Sequence, residues 1–505
     1  MNGKREFGDY QTPRLLAAKV CNYLKEHIGL HPSVVIEPTC GKGSFLFESQ
    51  TFAAQNYYGI EINEEYCQYC KQHFQDERIQ IINDDFFSFS ISDFIKGHEE
   101  VLVLGNPPWV TNSSLSNSPT SNLPVKSNFK KHKGFDAITG NSNFDICEYM
   151  ILQIIEDCKR TNTTIAMLCK TSVARNVYRE IIKKAIPFKY CKNLEFNAKD
   201  FFGVNASACL LVLGLSNTSF SASSCEVATL EVPDKILRTY SCDHDRFYTN
   251  EQANICDLDG YCCFEWRQGI KHDCSKVVEL TIENGKFING FKESVLIEPH
   301  YLYPLIKSSM IKSFIIEKSA KYLILPQKYV NESIEYISKQ FPLTWNYLMR
   351  YEKNFSKRKS IIYSKGPRFA MFGIGEYSFA PYKVAVSGFY KTPVFSLLHS
   401  KGKPMMLDDT CYFLSFNSFS TAYVVMLLLN DCITQSFLKA IAFLDSKRPY
   451  TKSILQRIDF SKLVAVIPYS DLKRTEEKLG SVSILTLEMY NSFVEDIKTQ
   501  EQLLF

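Results

Sequence analysis

The densest chemistry in the chain is Asn106-Pro107-Pro108-Trp109, which runs straight on from the apolar segment Val101-Leu102-Val103-Leu104-Gly105. Two consecutive prolines stiffen that turn and remove two backbone donors. What remains beside the Asn106 side chain is carbonyl oxygen, and Trp109 adds an aromatic plane. Such acceptors suit a planar NH2 group whose lone pair is delocalised into a ring, a poor nucleophile. Gripping its hydrogens favours a tetrahedral nitrogen able to attack a sulfonium methyl, with Trp109 stacked on the ring. A rigid surface turn is the plainer alternative, and the strand ahead of the motif argues against it.

A second group of residues could hold the partner of such an amine. Glu37-Pro38-Thr39-Cys40-Gly41-Lys42-Gly43 follows another apolar run, and glycines there let backbone approach a ligand closely. The spacing is neither G-x-G-x-x-G nor G-x-x-x-x-G-K-[ST], so dinucleotides and Walker-type phosphates are disfavoured. An acid opening the turn points to a cationic or hydroxyl-bearing ligand. Glu61 closes the next apolar run and is placed to accept from a ribose diol. Asp84-Asp85-Phe86 closes the third; one carboxylate could take the amino group of an adenine, with Phe86 on its face. A strand-end acid or a helix cap is the ordinary role for each, but here one acid ends each strand in turn.

The elements that must position these residues are four strand-like runs, Val34–Glu37, Tyr57–Glu61, Ile79–Asn83 and Val101–Leu104, about 20 to 24 residues apart. Helix-compatible segments, Gly43–Ala54 and Glu64–Phe74, lie between them. That alternation signals βαβ units and a parallel sheet covered on both faces. Further strands are expected at Thr164–Cys169 and Cys209–Leu215, so an α/β domain should occupy residues 1–220. The segment 111–143 is rich in Ser, Asn, Pro and Lys and reads as a long functional or disordered loop. Beyond 220 the alternation fades into a mixed, Tyr- and Phe-rich region without internal repeats.

Length and composition set the outer limits. A chain of 505 residues, 45% hydrophobic and 22% charged, should form two or three globular domains. No secretion leader precedes Gly8, and 17 scattered cysteines fit a reduced, cytoplasmic protein better than a disulfide framework. Cys67 and Cys70 form a lone C-x-x-C pair, from which no metal site is expected. No run approaches the roughly 20 apolar residues of a membrane span; Ala422–Leu429 reads as core. Net charge is only +4, but residues 350–459 hold 16 Lys/Arg against 7 Asp/Glu, whereas residues 1–200 balance at 23 each. A basic stretch of this kind fits a polyanion, and Lys357, Arg358, Lys359, Lys447, Arg448 and Lys452 are candidates for phosphate contacts.

Together these motifs resemble the gamma-class (N6-adenine) DNA methyltransferases of type II restriction-modification systems. In that family a cofactor-amine motif comes first, then the cofactor loop, then N-P-P-[YFW], with target recognition C-terminal. Phe7-Gly8-Asp9-Tyr10-Gln11-Thr12-Pro13 resembles the first motif. The resemblance implies a Rossmann-like α/β catalytic domain over 1–220, followed by a mixed α+β DNA-recognition region over 221–505. It implies S-adenosylmethionine as cofactor, with Thr12 and Pro13 at its methionine end. Glu37, Thr39, Cys40 and Gly41 would form its loop, Glu61 would take the ribose, Asp85 and Phe86 the adenine, and Asn106 would border it. Asn106, Pro107, Pro108 and Trp109 would hold the target base. Asn143-Phe144-Asp145 resembles the helix start after the catalytic loop. Asp200-Phe201-Phe202-Gly203 resembles the segment whose aromatic stacks on the base's other face, with Phe202 slightly favoured over Phe201. Phe372–Lys383 and Asp445–Lys452 look like parts of recognition regions.

The implied partner is double-stranded DNA with a flipped-out adenine, with a cognate endonuclease acting separately and no membrane. Only about ten residues precede the first motif, so no fused nuclease is expected there. Cytosine C5 methylation needs a Pro-Cys nucleophile, and the chain contains no Pro-Cys pair. Cytosine N4 methylation, an RNA or protein-glutamine methyltransferase using the same pocket, and a catalytically idle DNA-binding subunit stay open as alternatives.

Overall fold

A computed structural model describes residues 10–109, 145–218, 222–243, 246–249, 257–363, 366–480 and 483–502. The expected loop 111–143, Phe7, Gly8, Asp9, Asn143 and Phe144 lie outside the described residues. The chain divides into two compact units, Met1–Asn250 and Glu251–Phe505.

In the first unit ten strands join one sheet: β1 (Val34–Glu37), β2 (Asn56–Glu61), β3 (Ile79–Asn83), β4 (Val101–Gly105), β5 (Thr163–Lys170), β6 (Phe188–Asn197), β7 (Ser207–Leu215), β8 (Ser224–Thr229), β9 (Arg238–Asp243) and β10 (Arg246–Thr249). Their spatial order is 10-9-8-6-7-5-4-1-2-3. Strands β3-β2-β1-β4-β5 run parallel, and β7 inserts antiparallel between β5 and β6. Strands β1 and β4 are buried along their whole length, as their unbroken apolar sequences require in a sheet covered on both sides.

Helices α1 (Arg14–Glu26), α2 (Ser44–Ser49), α3 (Glu64–His73), α4 (Ile146–Cys158), α5 (Thr171–Lys183) and α6 (Ala198–Phe202) belong to this unit. Helix α3 starts where Asn63 caps it: the side-chain oxygen accepts from the amides of Glu65 and Tyr66 at 2.9 and 3.3 Å, with two acids in the first turn. Helix α2 ends at Ser49 and passes into a tighter turn over Gln50–Phe52, shorter than the expected Gly43–Ala54.

The unit runs on to Asn250, past the boundary expected at 220. The reason is pairing: β8 extends the sheet parallel to β6, and β9 and β10 continue it as antiparallel edge strands. Strand β6 escaped the sequence pattern because lysines and a glutamate on its half-exposed positions interrupt the apolar run.

The second unit is built on two smaller sheets. The six-stranded one contains, in spatial order, Ser294–Val295, Lys286–Ile288, Glu279–Glu283, Lys321–Ile324, Leu302–Ile306 and Met406–Leu407. The five-stranded one contains Arg267–Gln268, Cys411–Phe416, Tyr382–Ser387, Phe395–His399 and Ile315–Ile316. Helix Phe419–Asn430 is buried from Ala422 to Leu429, which makes that apolar run core. Among the described residues no single helix is long and apolar enough to cross a membrane.

Candidate active site

The expected site residues of the first unit converge at the carboxyl ends of β1, β2, β3 and β4. In an open α/β sheet this is where the strand order reverses and ligands bind. The ends of β1 and β4 are close: a Cβ placed on Gly105 would lie 3.7 Å from Pro38 and 3.8 Å from Glu37.

Glu37 is 3% exposed, and its Oε2 accepts from the amide of Leu46 at 3.0 Å, tying the strand end to α2. Burial pushes its carboxyl well above the usual carboxylate range, opposed by that amide and reinforced by Glu61. A buried acid with no cation paired to it among the described residues is a poor resident and a good host, since a cationic ligand would favour its ionised form. Thr39 Oγ1 is buried without a hydrogen-bond partner among the described residues, a second polar group that the described fold leaves unsatisfied.

Gly41 sits at φ +51°, where an added Cβ would come within 2.6 Å of the Gln11 side chain. Its amide donates to Glu61 Oε2 at 2.8 Å, while Glu61 Oε1 takes the Asn63 amide at 2.8 Å. Glu61 therefore braces the β1 loop against the end of β2. Gln11 closes the loop from the other side, its Oε1 accepting from the Lys42 amide at 3.0 Å. Thr12 and Pro13 follow, half-buried, with the Pro13 carbonyl opening α1 by accepting from Leu16 and Ala17.

The cysteines of this loop and the acids that end β3 also have partners within the fold. Cys40 is buried, its amide is taken by the Ile60 carbonyl, and a Cβ on Gly59 would meet its sulfur at 3.1 Å. Its side chain belongs to the core, and its carbonyl accepts from the Gly43 amide at 2.7 Å. Cys67 and Cys70 donate their thiols to the carbonyls of Glu61 and Gly41, at 3.2 and 3.4 Å, and so buttress the loop from α3. Asp85 accepts from the Phe87 amide at 3.1 Å and Asp84 from the Asp85 amide at 2.8 Å, the capping role that competes with adenine recognition. Phe86 is buried, edge-on to Phe87 with centroids 5.5 Å apart.

Asn106 carries the clearest signal. Its amide lies 3.0 Å from the Tyr10 carbonyl. A carbonyl only accepts, so the atom facing it is the NH2 group and the side-chain oxygen points away. That Oδ1 is buried and has no partner among the described residues. A preset, desolvated acceptor at the end of β4 is what an amine needs and what the fold alone would avoid.

The aromatic wall stands beside it. Trp109 Nε1 donates to the Leu168 carbonyl at 3.2 Å, which sets the indole plane against β5. Phe202 meets Trp109 edge-to-face, centroids 5.4 Å apart at 67°, and meets Tyr10 at 6.2 Å. Phe201 turns the other way, onto Phe196 at 5.8 Å. Of the two phenylalanines that competed for the stacking role, only Phe202 faces the motif. Two residues that sequence reasoning missed are Gln11 and Lys170. The former stood in a quoted motif without a role, and the latter bonds the Trp109 carbonyl at 3.3 Å from a strand end that no motif marks.

In the second unit the six candidate cations separate. Arg358 is not free for phosphate: its guanidinium donates to the carbonyls of Phe355, His272 and Ala370, at 2.9, 3.2 and 2.5 Å, and stacks 3.8 Å over Tyr363. Arg448 is also committed, to the Asp409 carbonyl at 3.1 Å and the Phe389 ring at 5.0 Å. Lys452 pairs with Glu265 at 3.1 Å. Lys357, Lys359 and Lys447 are exposed.

The strand order 3-2-1-4-5-7-6 with β7 reversed is that of the class I S-adenosylmethionine-dependent methyltransferases, and the strand-end site sits where that fold carries its chemistry. Residues 1–237 match the N-6 DNA methylase family. The chain is 38% identical over 484 residues to the type II methyltransferase M.NspV of Nostoc sp., covering 92% of this chain and 98% of that relative. The chain belongs to the N-6 DNA methylase family, within its type II methyltransferases. In fold it is similar to the type IIL restriction-modification enzyme MmeI, solved in complex with DNA. The TM-score is 0.52 at 12% identity, covering 97% of this chain and 75% of the other.

Proposed function

We propose that the protein methylates the N6 amine of an adenine flipped out of duplex DNA, with S-adenosylmethionine as methyl donor, as the modifying half of a restriction-modification system. The observation that carries this reading is the orphaned Asn106 Oδ1, oriented by the bond from Nδ2 to the Tyr10 carbonyl, next to an aromatic wall and the β1 loop. When bound, S-adenosylmethionine supplies an electrophilic methyl on a sulfonium sulfur. Its cationic end suits the buried Glu37, and its remaining polar groups suit Thr39, the Gly41 backbone, Glu61, Asp85 and the Thr12-Pro13 stretch. Asn106 Oδ1 takes one hydrogen of the target amine, and a carbonyl of the proline pair takes the other. Both grips strengthen as the nitrogen gains positive charge, so they favour the transition state over the ground state. Trp109 and Phe202 hold the base plane; stacking of this kind contributes about 1–3 kcal/mol per base.

In the second unit the exposed Lys357, Lys359 and Lys447 are the candidates for phosphate contacts. A separate endonuclease of the same specificity is the partner such a modification would answer. Long-read modification mapping of DNA from cells expressing the chain, with Asn106→Ala as control, tests the whole reading. The expected result is N6-methyladenine at one sequence word, absent from the control. Methylated cytosine, or no mark on DNA, overturns it.

A further inference from the structure

Lys170 is the last residue of β5 and the N-cap of α5. Its ammonium reaches two residues far apart in the chain: the carbonyl of Trp109 at 3.3 Å and the Asp145 carboxylate at 2.6 Å. Asp145 is itself engaged, since its other oxygen caps α4 by accepting from the Cys147 amide at 3.1 Å. We propose that Lys170 is a positioning residue that clamps the Asn106–Trp109 turn to the start of α4, and so fixes where the target base sits. This rests on the amine-methylation reading of that turn.

The physical case begins with what the prolines leave loose. Each ring sets its own φ, and Pro108 holds Pro107 in the extended region. The remaining freedom of the turn is the ψ of Pro108 and the torsions of Trp109. Strand β5 restrains both ends of that residue: Leu168 takes the indole N–H at 3.2 Å and Lys170 holds the main-chain oxygen. With the carbonyl released, the Trp109 peptide plane can rotate and carry the indole off its plane against Phe202. The cation is itself held, because the Lys170 and Asp145 side chains are only 29% and 12% exposed and the pair is partly shielded from solvent. Burial pushes the Asp145 carboxyl up and Lys170 pulls it back.

Steady-state kinetics on the purified full chain test the clamp, using a duplex carrying the mapped site and a second copy with 2-aminopurine at the target position. Misplacing a reacting group by about 1 Å costs about 10²-fold in rate, so Lys170→Met should lower kcat by about that factor with the KM for cofactor unchanged. The 2-aminopurine signal of the bound duplex should change, because the stacking partner has moved. Lys170→Arg, which keeps the charge and both donors in reach, should restore most of kcat. A folded Lys170→Met with wild-type kcat overturns the clamp, as does a Lys170→Arg no better than Lys170→Met. If Lys170→Met does not fold, Asp145→Asn decides: wild-type kcat and an unchanged 2-aminopurine signal overturn the clamp, and a loss of kcat at unchanged cofactor KM supports it. A wild-type chain that leaves adenine unmethylated sinks the amine-methylation reading, and the clamp with it.

Discussion

The strand-end residues of the first unit and the cationic residues of the second were singled out from the same sequence, and the structure treats them differently. Glu37, Glu61 and Asn106 stand together at one edge of one sheet, each with a hydrogen bond that sets its direction. Of six basic residues, Arg358 and Arg448 are consumed by their own unit and Lys452 by an ion pair. A strand end aims its last side chain by backbone geometry, so type and position together predict a role. A long basic side chain ends several bonds from its Cα, and its partner decides its role. Position therefore constrains where a side chain points in the first unit, and composition constrains it much less in the second.

The sharpest way to break that contrast is to remove the preset acceptor. Asn106→Ala should lower kcat by about 10²–10³-fold, the usual loss for one preorganised acceptor or donor. Stability should fall by only about 1 kcal/mol, because the one bond lost among the described residues is that from Nδ2 to the Tyr10 carbonyl. Single-turnover methyl transfer measures it, and an activity within about tenfold of wild type would show that the orphaned oxygen is not the grip. Next come the paired phenylalanines. Phe202→Ala should weaken binding of the flipped base by about 1–3 kcal/mol, read as a higher KM for DNA at little change in urea midpoint. Phe201→Ala should do the reverse, with about 2 kcal/mol of stability lost with its packing on Phe196. Equal kinetic effects would erase the distinction between them.

A smaller effect tests the loop. Gly41→Ala meets two obstacles: the Gln11 side chain at 2.6 Å and a backbone at φ +51°. The second costs about 1–2 kcal/mol for a residue with a Cβ, so cofactor affinity by calorimetry should fall about tenfold. Adding Gln11→Gly should recover only the steric share. Full recovery would mean that the positive φ carries no penalty.

How much was legible follows from the same physics. Strands β1, β3 and β4 lie within a residue of where apolar runs bounded by acids or Asn-Pro placed them, because a strand buried on both faces has to be written in unbroken apolar residues. Strand β6 was invisible because a half-exposed strand can carry Lys192 and Glu195. Cys40 was read as a loop ligand together with Thr39 and Gly41, yet its side chain is buried in the core, a placement that its position in the motif does not reveal. Lys170 left no signal at all: its role lies in reaching Trp109 and Asp145 at once, a coincidence of three chain segments that spacing does not encode.

The smallest effects probe the second unit, where Arg358 and its neighbours Lys357 and Lys359 look interchangeable in sequence. If exposed lysines touch phosphate, Lys357→Ala or Lys359→Ala should each flatten the plot of log affinity against log salt by about 0.9, the share of one neutralised phosphate. Stability should move by less than about 0.5 kcal/mol. Arg358→Ala should leave the salt slope alone, because its donors already face the carbonyls of Phe355, His272 and Ala370. Those carbonyls would lose a charged donor, and about 1.5–3 kcal/mol per strong bond sets the scale of the destabilisation. Fluorescence anisotropy at three salt concentrations, with urea melts alongside, separates the two behaviours. A lower salt slope for Arg358→Ala at unchanged stability would return that residue to the DNA surface and weaken the claim that composition misleads there. A flat response from both lysines would move the phosphate contacts elsewhere, with the exposed Lys447 the next to test.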